Sequence, residues 1–226
     1  MLSPDDFFDL SDFRHRALFD GLQYVWEALP RIEAYVRQHL IPRIDGEVLP
    51  GAWLGEHVYI GKGTLVESGA MIRGPAIIGE DCEIRSGAYV RENVLLGDRA
   101  VVGHASEVKN SVLLNAAKAP HFNYVGDSLL GCDINLGAGT ILSNLKVTWT
   151  NIVVTIEGRE YDTGLLKFGA IVGDHAETGC NCVCNPGTLI GKHSLVYPCT
   201  SVRGYIPPHS LVKLRQEMQV VERRPE

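Results

Sequence analysis

The stretch from Leu54 to Val108, LGEHVYIGKGTLVESGAMIRGPAIIGEDCEIRSGAYVRENVLLGDRAVVGHASEV, decides the fold. An aliphatic residue stands at every sixth position: Leu54, Ile60, Val66, Ile72, Ile78, Ile84, Val90, Leu96, Val102 and Val108. Four positions after each comes a small or β-branched residue, from Val58 through Cys82 to Val112. A period of six is neither that of a helix nor that of a single strand. It predicts a coil with three short flat faces per turn, whose inward aliphatic side chains stack on one another from turn to turn.

After Val108 the period returns in a new phase, at Leu130, Leu136 and Leu142, and later from Leu166 to Val202. The phase change predicts that residues at about 114–126 leave the coil as a loop. Residues 145–165 follow the period poorly and contain the alternating segment VTWTNIVVTIEGREY. With Glu157–Gly158 as a turn, this alternation predicts an inserted hairpin.

The first fifty residues lack the repeat. Apolar residues there suit one face of a helix between 18 and 29, and of a second helix between 30 and 40. Because a solenoid needs its ends covered, we predict that residues 1–50 form a helical cap on the open end of the coil. The β-helix is then expected over residues 51–215 and a tail over residues 216–226.

Composition limits the classes of partner. The net charge is −6, and no basic stripe is present, so we predict no nucleic-acid partner. No apolar run of membrane-spanning length and no signal peptide is visible, so a cytoplasmic protein without a membrane segment is expected. Cys180, Cys182 and Cys184 lack zinc-ribbon spacing. Since Cys182 and Cys184 occupy packing positions of the hexad, they are interpreted as small hydrophobic residues, and no metal is predicted.

The segment 103–144, GHASEVKNSVLLNAAKAPHFNYVGDSLLGCDINLGAGTILSN, is more specific than the repeat. It contains E-V-K, then K-A-x-H-x-x-Y-x-G-D, then I-N-x-G-A-G-T. With residues 54–215 it resembles the acetyltransferase domain of the bifunctional glucosamine-1-phosphate acetyltransferase/UDP-N-acetylglucosamine pyrophosphorylase enzymes. The archaeal-type members are the most similar, because they carry a longer insertion before a segment that reads KFGAIVGD here. The resemblance implies an all-β, left-handed parallel β-helix and a homotrimer.

The resemblance also implies a reaction. Acetyl-CoA would serve as co-substrate to N-acetylate an amino-sugar 1-phosphate, either glucosamine 1-phosphate or galactosamine 1-phosphate. An amine that attacks a thioester must lose a proton, and histidine supplies a base near neutral pH. The resemblance assigns this role to His121, and it assigns stabilisation of the oxyanion to the backbone N–H of Ala138.

Arg91 and Lys109 match the phosphate-binding pair of these enzymes. They are three hexads apart, which is one full turn of the coil, so they should stack on the same edge. Arginine and lysine are the side chains that bind phosphate oxygens. The other substrate residues implied by the resemblance are Glu107, Tyr124, Asn135 and Lys167, the last reaching the site of a neighbouring subunit. The implied acetyl-CoA contacts are Asn144, Cys180 and Pro198.

The sequence departs from the family in two ways. The C-N-Y-D-G segment reads S-N-L-K-V at 143–147, so Leu145 replaces a tyrosine. The chain also has no G-x-G-T-R nucleotide loop, so we expect it to lack the pyrophosphorylase domain. A separate pyrophosphorylase is therefore left open as a partner.

Three alternatives remain at this point. Arg91 and Lys109 would clamp a diphosphate if the acceptor were a nucleotide-linked amino sugar. A non-catalytic trimer would bind acetyl-CoA without turning it over. A γ-type carbonic anhydrase relative needs three histidines converging on zinc between subunits, but His104 and His121 have no third histidine near them in the sequence.

Overall fold

The computed structural model describes residues 2–222, and within them the repeat builds a parallel β-helix with three sheets. The first face contains strands Arg43–Ile44, Val58–Ile60, Ala76–Ile78, Val94–Leu96, Ser111–Leu113, Leu129–Leu130, Ala170–Val172, Thr188–Ile190 and Tyr205–Ile206. The second face contains Glu47–Val48, Leu65–Val66, Glu83–Ile84, Val101–His104, Lys118–His121, Asn135–Leu136, Glu177–Thr178, Leu195–Val196 and Leu211–Val212. The third face contains Trp53–Leu54, Met71–Ile72, Tyr89–Val90, Glu107–Lys109, Tyr124–Gly126, Ile141–Leu142, Val183–Cys184 and Ser201–Val202.

The aliphatic residues of the hexads form the core, as the repeat predicted. Ile60, Ile78 and Leu96 are fully buried and lie in register one coil above another on the first face. Burial of one such side chain contributes about 1.5–3 kcal/mol, so the stack supplies the stability that no single coil has. Cys82, Cys182 and Cys184 are buried within this stack, and all six cysteines are free thiols. The hexapeptide β-helix with a helical N-terminal segment is therefore confirmed.

The loop predicted at about 114–126 is wrong. Residues there form strands Lys118–His121 and Tyr124–Gly126, which pair with the coils on both sides. The phase changes because two successive coils are each one residue shorter than those before them. This is visible when the register Val94↔Ser111 and Val112↔Leu129 is compared with Val58↔Ala76. The missing residue falls at the same corner both times, between the third and first faces. Val112 consequently points outward, and Ser111 takes the small position that the period assigned to Val112.

The segment 145–165 leaves the coil. Strands Ile141–Leu142 and Val183–Cys184 pair directly although the whole segment lies between them in the chain, so this coil is longer than its neighbours by four hexads. The insertion contains an antiparallel hairpin with strands Val153–Ile156 and Arg159–Asp162, and Glu157 and Gly158 have positive φ at its turn. Leu166, which the period placed inside, is exposed, and the inward position falls to Val172.

The N-terminal segment does not cap the open end of the coil, and that expectation is wrong. The short helix Pro4–Phe7, the 3-10 helices Arg16–Phe19 and Val25–Arg31, and the helix Ile32–His39 pack on the outer side of the first face. The single helix expected over 18–29 is interrupted at Gly21, whose φ is +70°. Buried side chains of this segment contact Ile77, Leu95, Leu129 and Leu189. The coil itself begins at Arg43, inside the expected cap, and its last strand ends at Val212.

Two further expectations concern the chain as a whole. None of the helices in residues 2–222 is long and apolar enough to cross a membrane. The tail expected over 216–226 is exposed and without helix or strand through Glu222, and residues 223–226 lie outside the described residues.

We predict that Leu95→Ala destabilises the protein by about 2–5 kcal/mol, because this outward side chain is fully buried under the N-terminal segment. Leu214→Ala is the control, since Leu214 follows the last strand of the coil and is 44% exposed. It should change the free energy of unfolding by less than about 0.5 kcal/mol in urea titrations. Equal effects of the two substitutions would contradict the covered first face.

Candidate active site

Most of the candidate site residues lie on the third face and at its two edges. The edge shared with the second face, called here the histidine corner, contains His104, His121, Ala138, Cys180 and Pro198. The edge shared with the first face, called here the cation corner, contains Arg91, Lys109, Asp127 and Asn144. Both corners are columns, because each coil lies about 4.8 Å from the next.

Arg91 and Lys109 stack at the cation corner as predicted, with the Arg91 N–H donating to the carbonyl of Val108. Both are already paired with carboxylates. Arg91 Nη1 lies 2.9 Å from Glu107 Oε1 and Nη2 lies 3.3 Å from Glu92 Oε1. Lys109 Nζ lies 3.5 Å from Asp127 Oδ2. The hydrogen bond with Glu107 raises the pKa of Arg91. The site therefore contains two cations and three carboxylates, so it is charged but not cationic.

Tyr124 and Asn144 meet above Gly126. A Cβ atom on Gly126 would lie 2.7 Å from the Tyr124 hydroxyl oxygen and 2.9 Å from Asn144 Nδ2, so only glycine leaves room for them. Asn144 also donates a hydrogen bond to Asp127 Oδ2. Burial, and then the charges of Glu107 and Asp127, raise the pKa of Tyr124, which keeps its hydroxyl protonated at neutral pH. The phenol is therefore available as a hydrogen-bond donor.

His121 ends the strand Lys118–His121 and is exposed at the histidine corner. Its backbone N–H donates to Asn123 Oδ1 at 3.0 Å. Asn123 is only 2% exposed, and its Nδ2 donates to the Gly137 carbonyl at 2.8 Å. Asn123 therefore fixes the backbone of His121 to the coil that carries Ala138.

Ala138 lies one coil above His121, since the Gly139 N–H donates to the His121 carbonyl at 3.0 Å. Within residues 2–222 the N–H of Ala138 has no hydrogen-bond acceptor. It is thus free to donate to a ligand. Cys180 and Pro198 follow in the next two coils, because Asn181 N–H donates to Ala138 O and Cys199 N–H to Cys180 O. The structure therefore brings His121, Ala138, Cys180 and Pro198 into one column.

Two predicted residues lie outside these two columns. Asn135 is on the second face, where it pairs with Lys118 and Glu177. Lys167 is exposed at the end of the insertion and forms a bridge with Leu145. The next residue, Phe168, donates its N–H to the Asn144 carbonyl at 2.9 Å, so Lys167 adjoins the cation corner of its own chain.

The sequence reasoning missed Asp127, Asn123 and Gly126. Gly126 and Asp127 close the K-A-x-H-x-x-Y-x-G-D motif, which was the available signal. Asn123 occupies the small-residue position of its hexad, where an amide is unexpected in a core. Its burial is compensated by hydrogen bonds with four polar groups of the histidine corner.

The histidines are the side chains of this chain best suited to bind a metal ion. Across the described part of the chain, no three His, Cys, Asp or Glu side chains are grouped so that they could hold a metal ion. His175, His193 and His209 stack with ring centroids 4.8 and 4.9 Å apart, but they lie on the corner between the first and second faces. They are therefore separate from His121.

Several known proteins are similar to this chain in sequence. A family model described as the GMPPB C-terminal domain matches residues 72–159. The bifunctional sugar-1-phosphate nucleotidylyltransferase/acetyltransferase of Sulfurisphaera tokodaii is 39% identical over 85 residues, which are 38% of this chain and 21% of that protein. The bifunctional protein GlmU of Methanococcus maripaludis is 34% identical over 111 residues, 49% of this chain and 27% of that protein. The matches thus span about a quarter of these relatives.

The fold is also found in a solved structure. The Francisella novicida UDP-N-acetylglucosamine acyltransferase aligns with a TM-score of 0.51 at 17% identity, over 74% of this chain and 62% of that one. This likeness concerns the fold, whereas the family model covers residues 72–159, which include the segment with the site motifs. Together with the hexapeptide repeat, they support the resemblance drawn from the sequence: the chain contains a hexapeptide-repeat β-helix that is similar to part of these proteins.

Proposed function

We propose that the chain uses acetyl-CoA to N-acetylate an amino-sugar 1-phosphate, either glucosamine 1-phosphate or galactosamine 1-phosphate. The observation that carries the proposal is the third face, which has a histidine and a free backbone N–H at one edge and paired cations and carboxylates at the other. The names of the relatives, which include an acetyltransferase acting with a sugar-1-phosphate nucleotidylyltransferase, support this class of reaction.

The charges favour a ligand that carries both signs. Arg91 and Lys109 would bind the phosphate, while Glu107 is free to receive the ammonium of the amino sugar once Arg91 turns to the phosphate. An anion alone would leave three carboxylates beside it, and like charges repel. An amino-sugar phosphate is zwitterionic and preserves the balance.

The chemistry follows from the histidine corner. The bound ammonium first releases one proton to solvent. His121 then takes a second proton from the amino group as the amine nitrogen forms a bond to the thioester carbonyl carbon. The resulting oxyanion accepts a hydrogen bond from the Ala138 N–H, a contribution worth about 10²–10³ in kcat in comparable sites. The C–S bond then breaks, and CoA leaves as the thiol with a proton returned from His121. Cys180 and Pro198, above Ala138, would line the extended arm of acetyl-CoA.

The proposal includes a homotrimer in the cytoplasm, where acetyl-CoA is available. In one chain, Asn144 lies at the cation corner and Cys180 at the histidine corner, while Asn135 lies on the second face. A ligand that contacts Asn135 as well as the third face would lie where surfaces of two chains meet. Since the first face is covered by the N-terminal segment, the second and third faces are left for such contacts.

A second acceptor class is favoured by a cavity beside Asn144. This cavity of about 530 Å³ lies between the hairpin and the last coils, and its lining includes Lys146, Asn185 and Arg203. It has room and positive charge for the nucleotide part of a nucleotide-linked amino sugar. If the acceptor is instead the 1-phosphate, a separate pyrophosphorylase is the type of enzyme that would consume the product.

We predict that the purified protein forms N-acetyl sugar phosphate from acetyl-CoA and that His121→Ala lowers the rate about 10²–10⁴-fold, the usual worth of a general base. Mass spectrometry of the product, with the two 1-phosphates, glucosamine 6-phosphate and a UDP-linked amino sugar in parallel, identifies the acceptor. His104→Ala is the control, because His104 is exposed one coil below on the same corner. Acetyl-CoA binding without any product would support a non-catalytic trimer instead.

We predict that Arg91→Met raises the KM of the sugar 1-phosphate by about 10-fold or more, since a charged hydrogen bond contributes about 1.5–3 kcal/mol. Arg73→Met is the matched control, because Arg73 stacks one coil before Arg91 and its Nη1 donates a hydrogen bond to the hydroxyl of Tyr89 at 3.3 Å. Equal changes in KM for both variants, measured by initial rates, would argue against phosphate binding by Arg91.

We predict that sedimentation gives three times the 24.8 kDa mass of one chain, and that specific activity falls when the protein is diluted to monomer. The reason is that the proposed ligand contacts residues of different faces. Unchanged specific activity in a demonstrably monomeric sample would contradict a site between subunits.

A further inference from the structure

One buried carboxylate at the cation corner has no role in the proposed reaction. Asp127 is 5% exposed, and Lys109 Nζ lies 3.5 Å from its Oδ2. Asn110 Nδ2 donates to its Oδ1 at 2.8 Å, and Asn144 Nδ2 donates to its Oδ2. A buried carboxylate is costly unless it is paired and hydrogen-bonded, so these contacts hold one another in place.

The backbone fixes Asp127 from both sides. Its φ is +47° and that of Asn110, one coil below, is +44°, both in the left-handed region that Asn and Asp tolerate best. The Asp127 N–H donates to the Lys109 carbonyl at 3.0 Å. The Gly169 N–H, where the insertion returns, donates to the Asp127 carbonyl at 2.8 Å. The shortened corner therefore holds the carboxylate between Lys109 and Asn144.

The carboxylate also determines the direction of the neighbouring hydrogen bonds. An ionised carboxylate only accepts, so Asn144 must turn its NH₂ group toward Asp127. The Tyr124 hydroxyl oxygen lies beside the same amide, because both atoms adjoin the space above Gly126. Asn144 Oδ1 is then left as an acceptor, and the Tyr124 O–H is left as a donor.

We propose that Asp127 is a positioning residue for the acceptor, because it holds the Lys109 ammonium and orients the Asn144 amide and through it the Tyr124 hydroxyl. It acts through these three side chains and does not itself contact the reacting atoms. The identity of the acceptor rests on the proposed function, whereas the orientation of the amide does not.

The test is Asp127→Asn, which keeps the shape and removes the charge. We expect the KM of the sugar 1-phosphate to rise at least 10-fold while the KM of acetyl-CoA changes less than twofold. Asp174→Asn is the matched control: Asp174 is 2% exposed, but it accepts hydrogen bonds from the N–H groups of Asp9 and Cys132 at a different corner. That variant should lower thermal stability and leave the acceptor KM unchanged, which separates positioning from general folding.

A mutant cycle tests the route of the effect. If Asp127 acts through Lys109 and Asn144, then Asp127→Asn should raise the acceptor KM less than twofold in a background that carries both Lys109→Met and Asn144→Ala. Full additivity of Asp127→Asn with that background would overturn the proposal, and so would an unchanged acceptor KM in Asp127→Asn alone.

A measurement without substrate keeps this proposal distinct from the proposed function. In NMR spectra, the side-chain amide protons of Asn144, assigned by their loss in Asn144→Ala, should exchange slowly with solvent. The slow exchange should be lost in Asp127→Asn and kept in Asp174→Asn. If the wild type acetylates no acceptor, the proposed function fails, but this signal still decides whether Asp127 orients the amide. An Asn144 amide that does not respond to Asp127→Asn would overturn the proposal.

Discussion

The stacking of each inward aliphatic side chain on its equivalent one coil away is the interaction on which the structure depends. Backbone pairing between parallel strands sets the coils about 4.8 Å apart, which is close contact for Val, Ile and Leu. Ile60, Ile78 and Leu96 are buried by their neighbours in the column and not by any single coil. Because every coil repeats this contact, residues a coil length apart become spatial neighbours, at the corners as well as in the core.

The candidate site is a consequence of that stacking. Charged side chains are costly to bury in such a column, so the chemistry lies at the corners, where successive coils line up side chains. The two shortened coils change the side chains at the cation corner, because Asn110 and Asp127 form shorter turns there than the other coils have. The site thus combines an exposed histidine at one edge of the third face with a tightly hydrogen-bonded group of charges at the other.

The additions to the coil restrict where a ligand or a second chain can approach. The N-terminal segment covers the first face with aromatic and aliphatic side chains, and buried Asp174 fastens this segment to the coil by accepting the Asp9 N–H. The insertion departs from the coil beside Asn144, and it forms a cavity next to the cation corner. The second and third faces, with exposed Trp53, Met71 and Ile141 on the third, remain open.

The sequence by itself determined the β-helix, because a period of six reports directly which side chains face inward. It also determined that Arg91 and Lys109 stack, since three hexads make one turn. Only the tertiary structure decided that residues 114–126 stay in the coil. A residue missing at a corner and a loop that leaves the coil both shift the phase of the hexad repeat, so the sequence does not distinguish them. The amphipathic pattern of the N-terminal segment showed that its apolar side chains are buried. It did not show that they pack against the first face. Asp127 reads as an ordinary polar residue, since burial and hydrogen bonding arise only when Lys109, Asn110 and Asn144 converge on it.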